Sequence, residues 1–370
     1  MAEWMRKKLA DVVELRRGFD LPTRSRKPGK FPVLSAGVTA GLHDEGPIKG
    51  PGFVVGRATN LGVPTWSDGD FWPLNTTLYA SDFKGNHPRF LYHLFEVLDL
   101  AGFDSGSVQP MLNRNYIAGV EVRIPDLATQ VAIVDVLKAL DHKMATNEKV
   151  ASISRELARS IFARATIGGN RVAIRNVAKL VTRGITPKYV ETDGIAVLNQ
   201  KCVRDQRINL APSRMTHDSS IRAEKLLRRD DVLVNSTGAG TLGRIARWTQ
   251  KDRATVDSHI TIVRFDPDLI EPVCAGFGLL QIEKEVEGLA EGSTGQTELR
   301  RDLLAGLEIA VPDKVQQGAV GAELSALDEL NVGLQQESDK LAATRDELLP
   351  LLMSGKIRVR EVEKVVEGVV

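Results

Sequence analysis

Nine residues, AGVEVRIPD at Ala118–Asp126, return as AGLEIAVPD at Ala305–Asp313, 187 positions later. A long repeat constrains architecture more than local propensity does, because each copy must fold as a similar unit. At the same offset Gln130 falls on Gln317, Leu137 on Leu324, and Ala139-Leu140-Asp141 on Ala326-Leu327-Asp328. Gly168 falls on Gly355, and Arg171-Val172 on Arg358-Val359. Upstream, with small insertions, GSVQPMLNRN (Gly106–Asn115) matches GSTGQTELRRD (Gly292–Asp302), and DVVELRRGFDLP matches NVAKLVTRGITP. Two long units are joined head to tail, and 370 residues are enough for two domains of similar size.

Each unit changes periodicity midway. The front part holds short apolar runs cut by Gly and Pro: FPVLSAG, GFVVGR and NTTLYASDF in the first unit, IAVLN, DVLVNS and HITIVRF in the second. These are strand signals. A helix is expected after the strands, in NHPRFLYHLFEVLDL and in PVCAGFGLLQIEKEVEGL. The back part shows 4-3 spacing: Ile133, Leu137, Leu140, Met144, Asn147, Ala151, Ser154, Ala158 and Ile161. Its counterpart is Val320, Leu324, Leu327, Asn331, Leu334, Ser338, Leu341, Arg345 and Leu348. Such spacing predicts a coiled-coil seam on helices roughly 55 Å long. The plain alternative is an amphipathic surface helix, since several seam positions are small or polar.

Composition narrows the class. With 42% hydrophobic residues and 26% charged, the chain reads as folded and soluble. MAEWMRKKL offers no apolar leader and no later run approaches a bilayer span, so a cytoplasmic protein is expected. Cys202 and Cys274 form no CxxC pair and are expected to be reduced. The net charge of +1 hides local asymmetry: Arg16–Lys30 holds six basic residues against one acid, and Arg175–Arg229 twelve against five. Asp266–Glu291 is acidic. Each lobe is thus expected to carry one basic side.

Two similar lobes on an antiparallel helix pair suit duplex DNA, whose local twofold symmetry lets two lobes read two half-sites at a fixed spacing. Helix length would then set the gap. Because the lobes differ in sequence, the half-sites should differ too.

The residues also resemble a known family, the specificity subunits of type I restriction-modification systems. The first unit resembles its target recognition domain in GFDLP (Gly18–Pro22), GPGFVVGR (Gly50–Arg57), DFWPLNTTLY (Asp70–Tyr79) and HPRFLYHLF (His87–Phe95). The segments after Asp126 and Asp313 resemble its two spacers. The second unit keeps RGITPKY, DVLVNSTGA and GSTGQTEL but lacks WPxNTTLY. The resemblance implies an α+β protein: two pseudo-symmetric α/β target recognition domains (1–126 and 169–313) separated by two long helices (127–168 and, with the tail, 314–370) forming an antiparallel coiled coil. It implies a non-catalytic reader of a bipartite, asymmetric DNA target that docks two adenine methyltransferase subunits and, in some systems, two restriction subunits. S-adenosylmethionine, ATP and Mg2+ would belong to those partners, with no cofactor or metal in this chain.

Candidate DNA contacts follow from residue chemistry. Arg24, Arg26, Lys27, Lys188, Lys201, Arg204 and Arg207 are candidates for salt-sensitive phosphate contacts, each also readable as a solvated surface charge. Arg57 and Asn60 in GRATNLG, Asn235 and Arg244 around the second glycine loop, and Gln109 and Gln296 in the GS segments are candidates for base readout. Arg suits guanine and Asn or Gln suits adenine, while turn backbone groups compete for the same amides. Candidate partner contacts are Val150, Ile153, Leu157, Phe162, Leu330, Leu349 and Leu352, which either face outward or broaden the seam.

Other chemistries fit less well. GAGTLG (Gly238–Gly243) matches the dinucleotide pattern, but only RIARW follows where a full helix is needed. A loop between strands is expected there. Asp70, Asp82 and Lys84 loosely imitate a nuclease carboxylate-lysine set, but Asp266 has no lysine two positions on. HExxH, GxSxG and an NPP-aromatic tetrad are all missing. Two other functions remain as alternatives, a stand-alone two-lobed DNA-binding regulator and a glycine-loop nucleotide enzyme.

Overall fold

The computed structural model describes residues 4–58, 60–100, 102–103, 111–218, 221–289 and 298–362. The chain divides into two compact units, one of 1–146 with 337–370, the other of 147–336. Two helices, Leu127–Ala165 of 39 residues and Lys314–Ser354 of 41, run continuously through this division, so each unit owns half of each.

In the first unit, strands Glu14–Arg17, Thr77–Asp82, Gly52–Gly56 and Pro64–Ser67 form an antiparallel sheet in that order. In the second unit, Ala178–Arg183, Ile260–Phe265, Val232–Asn235 and Ile245–Arg247 do the same. Each unit adds a smaller sheet with one parallel pairing, Phe31–Ser35 on Trp72–Pro73 and Ile195–Leu198 on Ala254–Val256. The nine-residue repeat supplies the strands Glu121–Ile124 and Glu308–Val311, which pair with Met5–Lys8 and Asn170–Ala173.

The central strands are apolar on both faces because a helix covers one face of each sheet and residues of the smaller sheet pack on the other. Phe53, Val55 and Leu78 pack beneath Phe90, Leu91, Leu94 and Phe95 of Pro88–Val97. Val232, Val234 and Val263 pack beneath Ala275 and Leu279 of Pro272–Gln281. Both helices lie inside the stretches expected from sequence; in the second a further short helix, Glu283–Glu287, follows.

The RG dipeptide recurs for a steric reason. A Cβ on Gly18 would sit 2.2 Å from the Leu74 carbonyl oxygen, and one on Gly184 2.1 Å from that of Val256. At both places the two sheets exchange a chain through a parallel bridge, Phe19 with Leu74 and Ile185 with Asp257. Any side chain would force these backbones apart.

The long helices begin and join the lobes through the repeated residues. Asp126 caps the first helix, its carboxylate accepting from the Thr129 amide at 2.7 Å. Gln130 and Gln317 then act alike. Gln130 Oε1 accepts from the His87 amide at 2.9 Å and its Nε2 donates to the Pro125 carbonyl at 3.0 Å. Gln317 Oε1 accepts from the Glu271 amide at 3.1 Å and its Nε2 donates to Pro312 at 2.9 Å. His87 and Glu271 are the residues at which the lobe helices start. Three turns further on, Asp141 pairs with Arg345 (2.9 Å) and Arg89 (3.5 Å), and Asp328 with Arg247 (2.7 Å).

Within the first unit Leu137 and Leu140 cluster with Leu341 and Leu348; within the second, Ala158 and Phe162 cluster with Leu324. Numbers rise along one helix as they fall along the other, so the pair is antiparallel. The polar seam positions Asn147 and Ser154 are buried with the apolar ones, as the 4-3 spacing requires. Past their last turns the helices lead to Gly168 and Gly355, both at φ 71°, a left-handed conformation that favours glycine.

Gln130→Ala and Gln317→Ala should each leave buried groups unpaired and cost about 1–3 kcal/mol of local stability. Hydrogen exchange at the His87 amide should accelerate in the first variant only, and at Glu271 in the second only. Unchanged exchange would remove the clamp role.

Candidate nucleic-acid interface

Four backbone hydrogen bonds build the same loop cluster in each unit. Gly18 N–H donates to Thr77 (3.1 Å) as Gly184 does to Ile260 (3.0 Å); Phe19 donates to Pro73 (2.8 Å) as Ile185 does to Val256 (2.9 Å). Arg57 donates to Thr76 as Ser236 does to His259, and Leu112 donates to Arg57 as Leu299 does to Ser236, all at 2.8 Å. The RG turn, the glycine-bearing hairpin loop, the turn before the long central strand and the start of a short helix are thereby gathered at one end of each sheet.

In the second unit these segments border a cleft of about 930 Å3 whose lining includes Arg183, Thr237, His259, Arg300 and Arg301. Glu298 and Asp302 temper the charge. Arg183 is held in place, donating to Glu298 Oε1 (2.7 Å), to the Leu299 carbonyl (2.9 Å) and to the Ser258 carbonyl (3.2 Å). Thr237 Oγ1 lies 2.7 Å from His259 Nδ1, and Arg300 reaches Asp302 at 2.5 Å. In the first unit the Asn75 amide donates to Asp20, while Arg17, Arg114 and Tyr116 are exposed. Guanidinium, amide and aromatic groups on rigidly held loops are the equipment for contacting phosphates and base edges.

The sequence-derived candidates separate into three sets. Five have side chains engaged within the fold itself. Arg26 Nη1 donates to Ala40 (2.5 Å) and Arg244 Nη2 to Gly240 (2.7 Å). Asn60, left-handed at φ 46°, donates to Ala36 (3.2 Å). Asn235 is fully buried and donates to Gln200 (2.9 Å) and Thr241 (3.1 Å). Arg207 pairs with Glu148 at 3.0 Å, tying the hairpin Val203–Ile208 to the first long helix. In each case an unpaired turn carbonyl or a nearby carboxylate claims the side chain. Arg24, Lys27, Lys188, Lys201 and Arg204 are exposed, Lys27 beside Asp44 (3.7 Å) and Arg204 beside Asp205 (3.6 Å), while Arg57 is half-buried in the cluster. Gln109 and Gln296 lie outside the described residues.

Sequence reasoning passed over Arg17, Arg114, Tyr116, Arg183, His259, Arg300 and Arg301. The signal was present in the alignment of RRG with TRG and of NRN with LRRD, where an arginine recurs at each place.

The partner candidates divide as well. Val150, Ile153, Leu157 and Leu330 are 39–57% exposed. Phe162, Leu349 and Leu352 are buried in the cores of their own units, which corrects their outward assignment. Phe162 stacks on Phe277, with ring centroids 5.6 Å apart.

The alternative motifs resolve structurally. Gly238–Gly243 connects strands Val232–Asn235 and Ile245–Arg247, so no helix presents amides to a pyrophosphate. The Asp70 carboxylate is engaged by Lys49 (2.7 Å) and the Gly50 amide (3.1 Å), which hold it below the usual carboxylate range. Asp82 is paired with Lys84 at 3.0 Å. Among the described residues no cluster of three metal-ligating side chains occurs. Both cysteines are buried, and burial pushes the Cys274 thiol up to about 12, so it is inert as a nucleophile.

Comparison with known proteins agrees with this geometry. Residues 1–153 match the family model described as "Type I restriction modification DNA specificity domain". No curated protein matches the sequence. The crystal structure of a type I restriction-modification S subunit from M. genitalium superposes with a TM-score of 0.66 at 15% identity, covering 95% of this chain and 96% of that one. The chain has the fold of that subunit. The HsdS subunit from Thermoanaerobacter tengcongensis aligns over 96% of this chain at 16% identity with a TM-score of 0.35. A structure described as addressing type I R-M complex assembly and conformational transition aligns over 95% at 14% identity with a TM-score of 0.45. Neither value carries a structural argument. The chain is thus similar to a type I specificity subunit in sequence over 1–153 and in fold over nearly its whole length.

Asn235→Ala should destabilise the second unit by about 1–3 kcal/mol, since two part-buried carbonyls lose their donor. Chemical denaturation would measure the loss. DNA sequence preference should be unaffected in the folded fraction; a changed preference would restore Asn235 to a reading role.

Proposed function

We propose that this chain is the DNA-specificity subunit of a type I restriction-modification complex. Segments 1–126 and 169–313 serve as target recognition domains, and 127–168 with 314–370 as spacers. The observation that carries this reading is the loop cluster built twice on one backbone plan with different side chains, beside the match of 1–153 to a DNA specificity domain. A shared plan gives both units one way of meeting a duplex; divergent side chains give them different sequences to read. The target is therefore bipartite and asymmetric.

The chain acts as a reader and its catalysis comes from partners. Two methyltransferase subunits supply adenine methylation with S-adenosylmethionine, and restriction subunits, where present, use ATP and Mg2+. The exposed apolar residues Val150, Ile153, Leu157 and Leu330 on the long helices form the docking strip. No helix among the described residues is long and apolar enough to cross a membrane, which accords with a cytoplasmic complex. The alternative, a stand-alone DNA-binding regulator, shares the recognition surfaces but predicts no methyltransferase partner.

Co-expression with the cognate methyltransferase subunit, followed by single-molecule mapping of methylated adenine, should give a two-part motif with a fixed gap that disappears without this chain. Methylation independent of the chain would favour the regulator. Ile153→Glu should abolish co-purification of the methyltransferase while leaving the chain folded by circular dichroism, because a buried unpaired charge costs several kcal/mol. Retained assembly would remove Ile153 from the docking strip.

A further inference from the structure

We propose that Arg114 and Arg301 are equivalent phosphate contacts of the two recognition units, and that base identity is read from the positions around them where the units differ. The proposal rests on the DNA-reading role above. If two lobes read different half-sites, a side chain kept at the same place in both cannot be what distinguishes them. Its partner must be something that both half-sites present alike, which is the sugar-phosphate backbone.

Backbone geometry, rather than alignment alone, fixes the equivalence. Leu112 and Leu299 make the same bond to the glycine-bearing loop, and two residues later each chain begins a short helix, Arg114–Ile117 or Arg301–Gly306. Both arginines are exposed. Arg301 borders the cleft of the second unit. Arg114 lies along strand Glu14–Arg17, making one long 3.4 Å bond to the Leu15 carbonyl. The neighbouring positions diverge: Arg57 against Ser236, Asn75 against Ser258, Thr76 against His259, Asn113 against Arg300.

Two observations separate this pair from ordinary surface charge. The other arginine shared by both clusters, Arg17 with Arg183, is spent internally in the second unit on Glu298 and two carbonyls. Asp302, the acid beside Arg301, is engaged by Arg300. Nor does either arginine serve its own helix, since a cation in the first turn opposes the backbone dipole. Among the described residues no carboxylate pairs with either guanidinium, which leaves both open to an anion from outside the chain.

The test uses the full chain in complex with its methyltransferase subunit, the cognate duplex from methylation mapping, and a scrambled duplex of equal length. Kd is measured across salt concentrations for Arg114→Ala and Arg301→Ala. Each should flatten the slope of log K against log salt by about 0.9 and weaken both duplexes about fivefold near 0.15 M salt, with the cognate-to-scrambled ratio unchanged. Arg114→Lys and Arg301→Lys should keep the slope, because a phosphate accepts a point charge. An unaltered slope in the alanine variants would overturn the proposal. So would a ratio that collapses in the lysine variants, which would make these arginines bidentate base readers. A wild-type complex that fails to prefer the cognate duplex defeats the specificity reading itself, and the proposal with it.

Discussion

The joint between each lobe and the long helices is the constraint on which the rest depends. A lobe helix has donors at its start that the helix cannot satisfy internally, and burial makes any unpaired amide expensive. Gln130 and Gln317 answer this from the first turn of each long helix, and an aspartate three turns further on, Asp141 or Asp328, is met by arginine. A buried or half-buried charge is tolerated only when paired, so each aspartate favours one placement of its partner arginines. Within each unit the loop cluster is therefore carried on a braced support.

The same backbone plan is realised with different interior chemistry. In the second unit Arg264 grips Asp231 through two bonds of 2.6 and 2.7 Å, both groups buried. At the corresponding places in the sheet of the first unit stand Gly52 and Ser81. Arg247 likewise bridges Asp230 and Asp328, with its guanidinium 4.8 Å from the Phe277 ring. Much of what the units share sits where geometry admits few answers: the RG turn, the helix-starting Pro-Asp, the glutamine clamp and the closing glycines. Elsewhere hydrophobic and ionic cores substitute for one another, which lets the loops diverge without loss of the fold.

That pattern explains why some side chains chosen for their chemistry are engaged inside the fold. Asn60, Asn235 and Arg244 have side chains able to read bases, and they occur in glycine-rich loops, yet such loops contain bent backbone whose carbonyls compete for the same donors. Phe162 and Leu349 fall just off the 4-3 seam and Leu352 one step past its last residue, and packing with the lobe helices and tail settles that they face inward.

The sequence by itself determined the twofold plan, the strand-then-helix order within each unit, the antiparallel seam and the loop character of Gly238–Gly243. Each of these follows from periodicity, repetition or local sterics, which can be read along the chain without its long-range contacts. The tertiary structure decided which arginines and amides are consumed internally and which are offered outward. Arg183 and Arg301 look alike in the sequence; one is claimed by Glu298 and the other lies exposed on the cleft. That distinction depends on which carbonyls and carboxylates folding brings within about 3 Å of each guanidinium, a long-range fact that no local pattern encodes.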